Sequence, residues 1–281
     1  LTKDQIPYMR ILTAMLGDLN TDNYSLGELN NALNTNLGSF YTNYRTDLEN
    51  NDDNKLLAHF VVQSKVLNSK INKLFELTNE VLNHSKIDDK ERLKTILTRH
   101  QARVYASTRQ NGLGLASTRL SSYYSNEGKF DELTRGYTYY EFVSDLMKNY
   151  DEKYDEIVKN LENVAESLFN RNNMTAFVTS SQEDLETFNQ GLESFVQKIP
   201  AKEQKLHHWE FEFENKNEGI LAPSKVQYVT KGYNFKKLGY EYDGKIRVLN
   251  QILSREWLNN QIRVIGGAYG GFCRFSESGN F

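Results

Sequence analysis

Phe40-Tyr41-Thr42-Asn43-Tyr44-Arg45-Thr46-Asp47-Leu48 is the stretch on which the fold class turns. Before it, apolar residues recur at helical spacing; within it, Phe40, Thr42, Tyr44, Thr46 and Leu48 fall on alternate positions, the period of a strand with one face covered. A polar run follows, Glu49-Asn50-Asn51-Asp52-Asp53-Asn54, and then a second alternating run that sets Leu56, Ala58, Phe60, Val62 and Val66 on one face. Two such runs joined by a polar turn are expected to form an antiparallel hairpin. A hairpin set among helices implies an α+β chain rather than a regular βαβ alternation.

The neighbouring segments are helical in pattern. Ile6, Met9, Leu12, Leu16 and Leu19 mark a first helix with Pro7 in its opening turn, and Ser25 with Glu28 forms a capping box that opens a second helix to about Asn34. After the hairpin, four helical stretches are expected. One is capped at Asn68 and carries Ile71, Leu74, Val81 and Leu82. A long one starts near Asp88 and Glu91 and runs toward Tyr124. A third covers residues 138–147, and a fourth carries Ile157, Leu161, Val164 and Leu168. Residues 174–179 read as a short strand, and Ser181, with Asp184 three positions on, reads as the N-cap of a helix carrying Phe188, Leu192 and Phe195.

Residues 200–205 are a polar joint. Trp209, Phe211 and Phe213 alternate with glutamates as a connecting strand, and a new unit begins near Glu218. In it, residues 226–230 and 268–275 are expected to be strands, while Ile246, Leu249, Ile252, Leu253, Trp257 and Leu258 form a helix stripe. The expected modules are therefore residues 1–205, a linker at 206–217, and 218–281. The chain begins at Leu1 in a helical pattern and stops at Phe281 in an expected strand, the pattern of a piece of a longer polypeptide.

Composition narrows the function classes. Of 281 residues, 38% are apolar and 25% charged, which places the chain among folded globular proteins. Acids (37) slightly outnumber bases (34), a balance that argues against a nucleic-acid partner. No apolar run approaches the ~18 residues that would cross a bilayer, so no membrane partner is expected. Cys273 is the single cysteine, so no internal disulfide forms, and in its expected strand it reads as a small buried hydrophobe.

Few motifs carry chemistry. The histidines His59, His84, His100, His207 and His208 form no H-x-x-E-H or H-E-x-x-H pair, and Glu80 and His84 share a helix face without a third ligand, so no metal site is expected in this chain. Asn111-Gly112-Leu113-Gly114 lacks the third glycine of a phosphate loop and reads as a break or packing contact between helices. Lys231 to Lys237 mixes bases with aromatics but reads as a turn with solvated lysines, and the charge run from Asp151 to Lys159 as a solvated helix face. Neither Ser121-Ser122 nor Ser180-Ser181 lies in a nucleophile elbow.

What remains is Arg263-Val264-Ile265-Gly266-Gly267-Ala268-Tyr269-Gly270. Arginine offers a fixed fork of charged donors and tyrosine an O–H on a rigid ring, a pair able to clamp a carbonyl oxygen that is gaining charge. The bland alternative is an arginine paired at a sheet rim, a tyrosine packed at a strand edge and a glycine bulge.

This segment resembles a signature of the pitrilysin/insulinase superfamily of zinc metallopeptidases, and within it the presequence-protease subfamily. The resemblance extends to Leu16-Gly17, Thr21-Asp22-Asn23-Tyr24-Ser25-Leu26-Gly27-Glu28-Leu29, Leu37-Gly38-Ser39, Arg135-Gly136-Tyr137 and Gly219-Ile220-Leu221-Ala222-Pro223-Ser224-Lys225-Val226-Gln227-Tyr228-Val229, nearly the whole chain. It implies a clamshell of two halves, each of two related α+β domains. Residues 1–205 would be the third domain without its first strand, and 218–281 the start of the fourth without its later helices. The zinc, its H-x-x-E-H ligands and the glutamate that activates the zinc-bound water would lie in an N-terminal half of the same polypeptide, and unstructured peptides would be the substrates. Tyr269 would stabilise the oxyanion, Arg263 would hold the substrate backbone or support Tyr269, and Gly266, Gly267 and Ala268 would line the substrate. The piece alone would not hydrolyse peptides. A non-catalytic relative serving as a structural or partner-binding subunit is the alternative. A bacterial cytoplasm is the expected compartment.

Overall fold

The structure, a computed structural model, describes residues 1–49, 52–222 and 224–281. The chain is α+β. It runs α1 (Ile6–Met15), α2 (Leu26–Asn36), β1 (Leu37–Glu49), β2 (Asp52–Val66), α3 (Ile71–Asn83), α4 (Lys90–Gln110), α5 (Gly112–Ser121), α6 (Asn126–Arg135), α7 (Tyr137–Lys148), α8 (Tyr150–Leu168), α9 (Gln182–Lys198) and α10 (Ile246–Ile252). A π-helix, Leu253–Ile265, continues directly from α10. The described residues divide into two compact units. The first holds residues 1–46, 58–108 and 133–209; the second holds 47–57, 109–132 and 210–281.

In the first unit the helical stripes meet. Ile6, Met9, Leu12 and Met15 of α1 are buried where that helix packs on α8, whose own inward residues are Ile157, Leu161 and Val164. α3 packs on α9, with Phe75 against the rings of Phe188 and Phe195 at 5.3 and 5.7 Å. Fully burying one such side chain stabilises the fold by roughly 1.5–3 kcal/mol. The sheet is the antiparallel pair β1–β2. Its register is marked by Ser64 Oγ donating to Ser39 O at 2.6 Å. Along β1 the even positions from Phe40 to Leu48 are half-buried and the odd ones from Tyr41 to Asp47 exposed, the alternation expected of a strand with one covered face. Phe60 of β2 meets Phe169 edge-on at 5.6 Å. The polar turn expected between the strands includes Asn50 and Asn51, which lie outside the described residues.

The capping signals divide into those that hold and those that shift. The Ser25 side chain accepts from Glu28 N while the Glu28 carboxylate accepts from Ser25 N at 2.9 Å, so both halves of the capping box form. Ser181 accepts from Asp184 N at the start of α9. Asp88 does not open α4; Asp89 does, its carboxylate accepting from Arg92 N at 3.0 Å. Asn68 lies in a short 3-10 turn before α3, and its amide bonds Asp184 instead of capping. The long helix expected from Asp88 onward breaks at Asn111, whose side chain caps α5 by accepting from Gly114 N at 3.0 Å. Gly112 then lies under the ring of Tyr228, where a Cβ would come within 2.5 Å of a ring carbon.

Several expected strands do not form. Residues 174–179, 226–230 and 268–275 lie outside any strand, as does the segment with Trp209, Phe211 and Phe213. A strand requires a partner for its N–H and C=O groups, and within residues 210–281 the described residues show only the isolated bridge between Asn234 and Asn280. That unit is centred on Phe130, Tyr123, Tyr124 and Phe235, with Arg119 of α5 ion-paired to Glu132 at 3.0 Å and also to Glu218.

Candidate functional site

The Arg263–Tyr269 segment is built as the end of a helix. Beyond Ile252 the backbone bonds widen to the i→i+5 pattern, and the π-helix ends at Ile265. Three consecutive amides close that end: Gly266 N–H donates to Gln261 O at 3.0 Å, Gly267 N–H to Arg263 O at 3.0 Å, and Ala268 N–H to Ile262 O at 3.1 Å. These bonds satisfy carbonyls that a helix terminus otherwise leaves open. Gly267 takes φ +71°, the left-handed conformation that turns the chain back and that a Cβ would strain.

Arg263 and Tyr269 therefore stand on either side of one cap, Arg263 in the last turn and Tyr269 two residues past the left-handed glycine. Both side chains are exposed, Tyr269 at 87%, and among the described residues neither makes a hydrogen bond or ion pair. The arginine is thus not the rim ion pair of the bland alternative, nor the tyrosine packed at a strand edge. The N–H groups of Gly266, Gly267 and Ala268 are spent within the cap, so this stretch offers an approaching molecule its carbonyls and bare α-carbons rather than donors. Donors to an oxyanion would have to come from the Tyr269 hydroxyl and the Arg263 guanidinium.

Two further residues shape the segment and were not singled out by residue type. Ile262 lies one position before the arginine and Gly271 two after the tyrosine; a Cβ on Gly271 would approach Ile262 Cδ1 to 2.7 Å. The only hint in the sequence is the second glycine of Gly270-Gly271. Cys273, read as a buried residue of a strand, is instead half-buried outside one, its Sγ 3.3 Å from Asn250 Oδ1.

Other candidate chemistry is accounted for by structure. Glu80 is buried and accepts from Asn23 N at 3.2 Å and Asn23 Nδ2 at 3.0 Å. Burial alone would raise its carboxyl, but the hydrogen bonds from Thr21 and Asn23 prevail and hold it below the ordinary range. His84 pairs with Asp22 at 3.1 Å. His100 is buried with Nε2 2.7 Å from the Tyr139 hydroxyl, and burial pushes it down to about 4. Among the described residues no group of three or more His, Cys, Asp or Glu is arranged to hold a metal ion. A cavity of about 380 Å³ in the first unit, lined by Asp88, Glu162, Glu166 and Lys202 over Leu82 and Phe169, presents no nucleophile beside a base. Among the described residues no helix is long and apolar enough to cross a membrane.

Similarity to known proteins covers both parts of the chain. Residues 1–146 match the family of domains described as associated with subfamily C of peptidase family M-sixteen, and residues 217–281 match that described as PreP C-terminal domain. A Clostridium perfringens protein named Protein HypA is 34% identical across 99% of the chain and 28% of its own length. Presequence protease 1, chloroplastic/mitochondrial, of Arabidopsis thaliana is 29% identical over the full chain and 26% of its own length, and the mitochondrial presequence protease of Drosophila melanogaster 24% over the full chain and 27% of its own. The chain thus spans about a quarter of the length of the curated relatives it matches.

Proposed function

Because this chain belongs to that peptidase-associated family, in the C-terminal region of the presequence-protease branch, we propose that it is part of the substrate-facing C-terminal half of a zinc-dependent metalloendopeptidase acting on short unstructured peptides. The observation that carries the reading is the solvent-open pair, Arg263 and Tyr269, set on either side of one helix cap inside the matched C-terminal region. In this reading residues 1–205 are the third domain of the polypeptide, 206–217 the linker and 218–281 the start of the fourth.

Among the described residues no group of three or more His, Cys, Asp or Glu is arranged to hold a zinc ion. The proposal assigns the metal and its ligands to an N-terminal half of the same polypeptide. The role left to this half is to bind and polarise the peptide. The Tyr269 O–H donates to the scissile carbonyl oxygen as it becomes an oxyanion, and the Arg263 guanidinium holds peptide carbonyls in line. The bare α-carbon of Gly267, with nothing within 4 Å of where a Cβ would stand, lets a peptide backbone come close beside Gly266 and Ala268. The Clostridium relative supports a bacterial source, and the proposal places the polypeptide in the cytoplasm.

The test is made on the polypeptide that contains this chain. Tyr269→Phe should lower peptide turnover by ~10²–10³, the usual cost of one lost oxyanion donor, with zinc content and fold unchanged. Wild-type turnover in that variant refutes the role of Tyr269. An intact polypeptide that holds no zinc and cleaves no peptide would make the chain part of a structural or partner-binding homologue. The chain by itself should show no hydrolysis.

A further inference from the structure

One residue touches the Tyr269 segment on both sides. The Ile262 carbonyl accepts the Ala268 N–H at 3.1 Å, immediately before Tyr269. The Ile262 side chain covers Gly271, two residues after it: a Cβ there would lie 2.7 Å from Cδ1, 3.0 Å from Cβ and 3.2 Å from Cγ2. Between these grips, Tyr269 and Gly270 have no other anchor among the described residues, and a Cβ on Gly270 would meet nothing within 4 Å.

From this we infer that Ile262 and Gly271 form a clasp that positions Tyr269, and that Gly271 is glycine because the isoleucine occupies the space of its side chain. The inference rests on the reading of Tyr269 as an oxyanion donor. Ile262 and Gly271 are positioning residues: they touch no substrate and act through the segment between them. An exposed tyrosine on an otherwise free loop would sample many directions, and each unproductive one reduces turnover. A displacement of about 1 Å in a catalytic group can cost as much as 10²-fold. The left-handed Gly267 sets where the chain turns back, and the clasp sets where the returning segment is held.

The geometry gives the inference a signature of sign. Gly271 does not have a left-handed φ, and the three atoms nearest a Cβ there all belong to Ile262, so an alanine is opposed first by that side chain. Gly271→Ala forces the segment off the isoleucine, while Ile262→Ala opens the space that the new methyl needs. In the chain itself, amide exchange at Gly267 and Ala268 should speed up about tenfold in Gly271→Ala and slow again when Ile262→Ala is added. In the longer polypeptide, Gly271→Ala should lower kcat about ten- to a hundredfold with KM little changed, and the double variant should recover most of that loss. A double variant no better than Gly271→Ala, in exchange or in kcat, overturns the clasp. So does full turnover in Gly271→Ala when Tyr269→Phe is impaired. If Tyr269→Phe itself keeps wild-type turnover while the exchange pattern holds, it is the oxyanion role that fails, and the inference that the clasp serves turnover falls with it.

Discussion

In α8 of the first unit, Ile157, Leu161 and Val164 are fully buried, whereas α10 of the second leaves Leu249 45% and Ile252 52% exposed. The two helices carry comparable apolar stripes in sequence. What differs is the supply of partners: α8 meets α1 and α7, while α10 has the π-helix that continues it. An amphipathic stripe states that a face can be buried, and the surrounding chain decides whether it is. The second unit keeps a small centre around Phe130 and Phe235 and sets its cap, with Arg263 and Tyr269, in solvent. Stability is concentrated in one unit and the candidate chemistry in the other.

Truncating the buried side of the comparison should have the largest effect. Leu161→Ala removes a side chain with no exposure and leaves a cavity at the buried face of α8, at an expected cost of about 2–5 kcal/mol in urea unfolding followed by helical circular dichroism. A loss under about 1 kcal/mol, well below the usual cost of such a cavity, would mean that the first unit is not held by this face.

The next effect comes from the buried His100. Its value of about 4 lies below the ordinary 6.5, with burial as the main cause and the positive charges of Arg10 and Arg103 adding to it; its ring nitrogen faces the Tyr139 hydroxyl. The folded state therefore resists protonation that the unfolded chain accepts. Stability from this group is complete above about pH 6.5 and falls as the pH drops toward 4, because over that window the unfolded state binds the extra proton. Between about pH 7 and pH 5 the loss should be about 2 kcal/mol. Unfolding of His100→Gln over the same range, with a slope shallower by about 0.7 proton on average, checks the assignment. An unchanged slope assigns the acid sensitivity to other groups.

The contrast between the units also marks what sequence reading reaches. Helices with a clear helical-period stripe, such as α1, α3 and α8, were legible because the pattern that forms them is local. The capping pairs Ser25/Glu28 and Ser181/Asp184 were legible for the same reason. α6 was missed because Asn126–Arg135 carries only Phe130 and Leu133 as apolar residues, too few to show a period. The strands expected at 226–230 and 268–275 failed because alternation describes a face while a strand needs a neighbour, which no local pattern specifies. Arg263 and Tyr269 were visible as residue types with special donors. Their arrangement around a helix cap, and the hold of Ile262 on Gly271, depend on the path of the backbone after Gly267 and left only a second glycine as a trace.

The smallest expected effect tests the exposed side. Leu249→Ala in α10 removes a side chain that already has much of its surface in water, so little burial is lost, and alanine is at least as good a helix former as leucine. The stability of the chain should change by less than about 0.5 kcal/mol, the range of ordinary surface substitutions. Measured beside Leu161→Ala by the same urea unfolding, it separates two accounts of the same pattern. If stripe residues contribute wherever they occur, the two variants lose similar amounts. If burial alone decides, the loss appears in α8 and not in α10. A loss of about 2 kcal/mol or more at Leu249, the range of a buried site, would show that the α10 face is covered in solution and would erase the contrast between the two units.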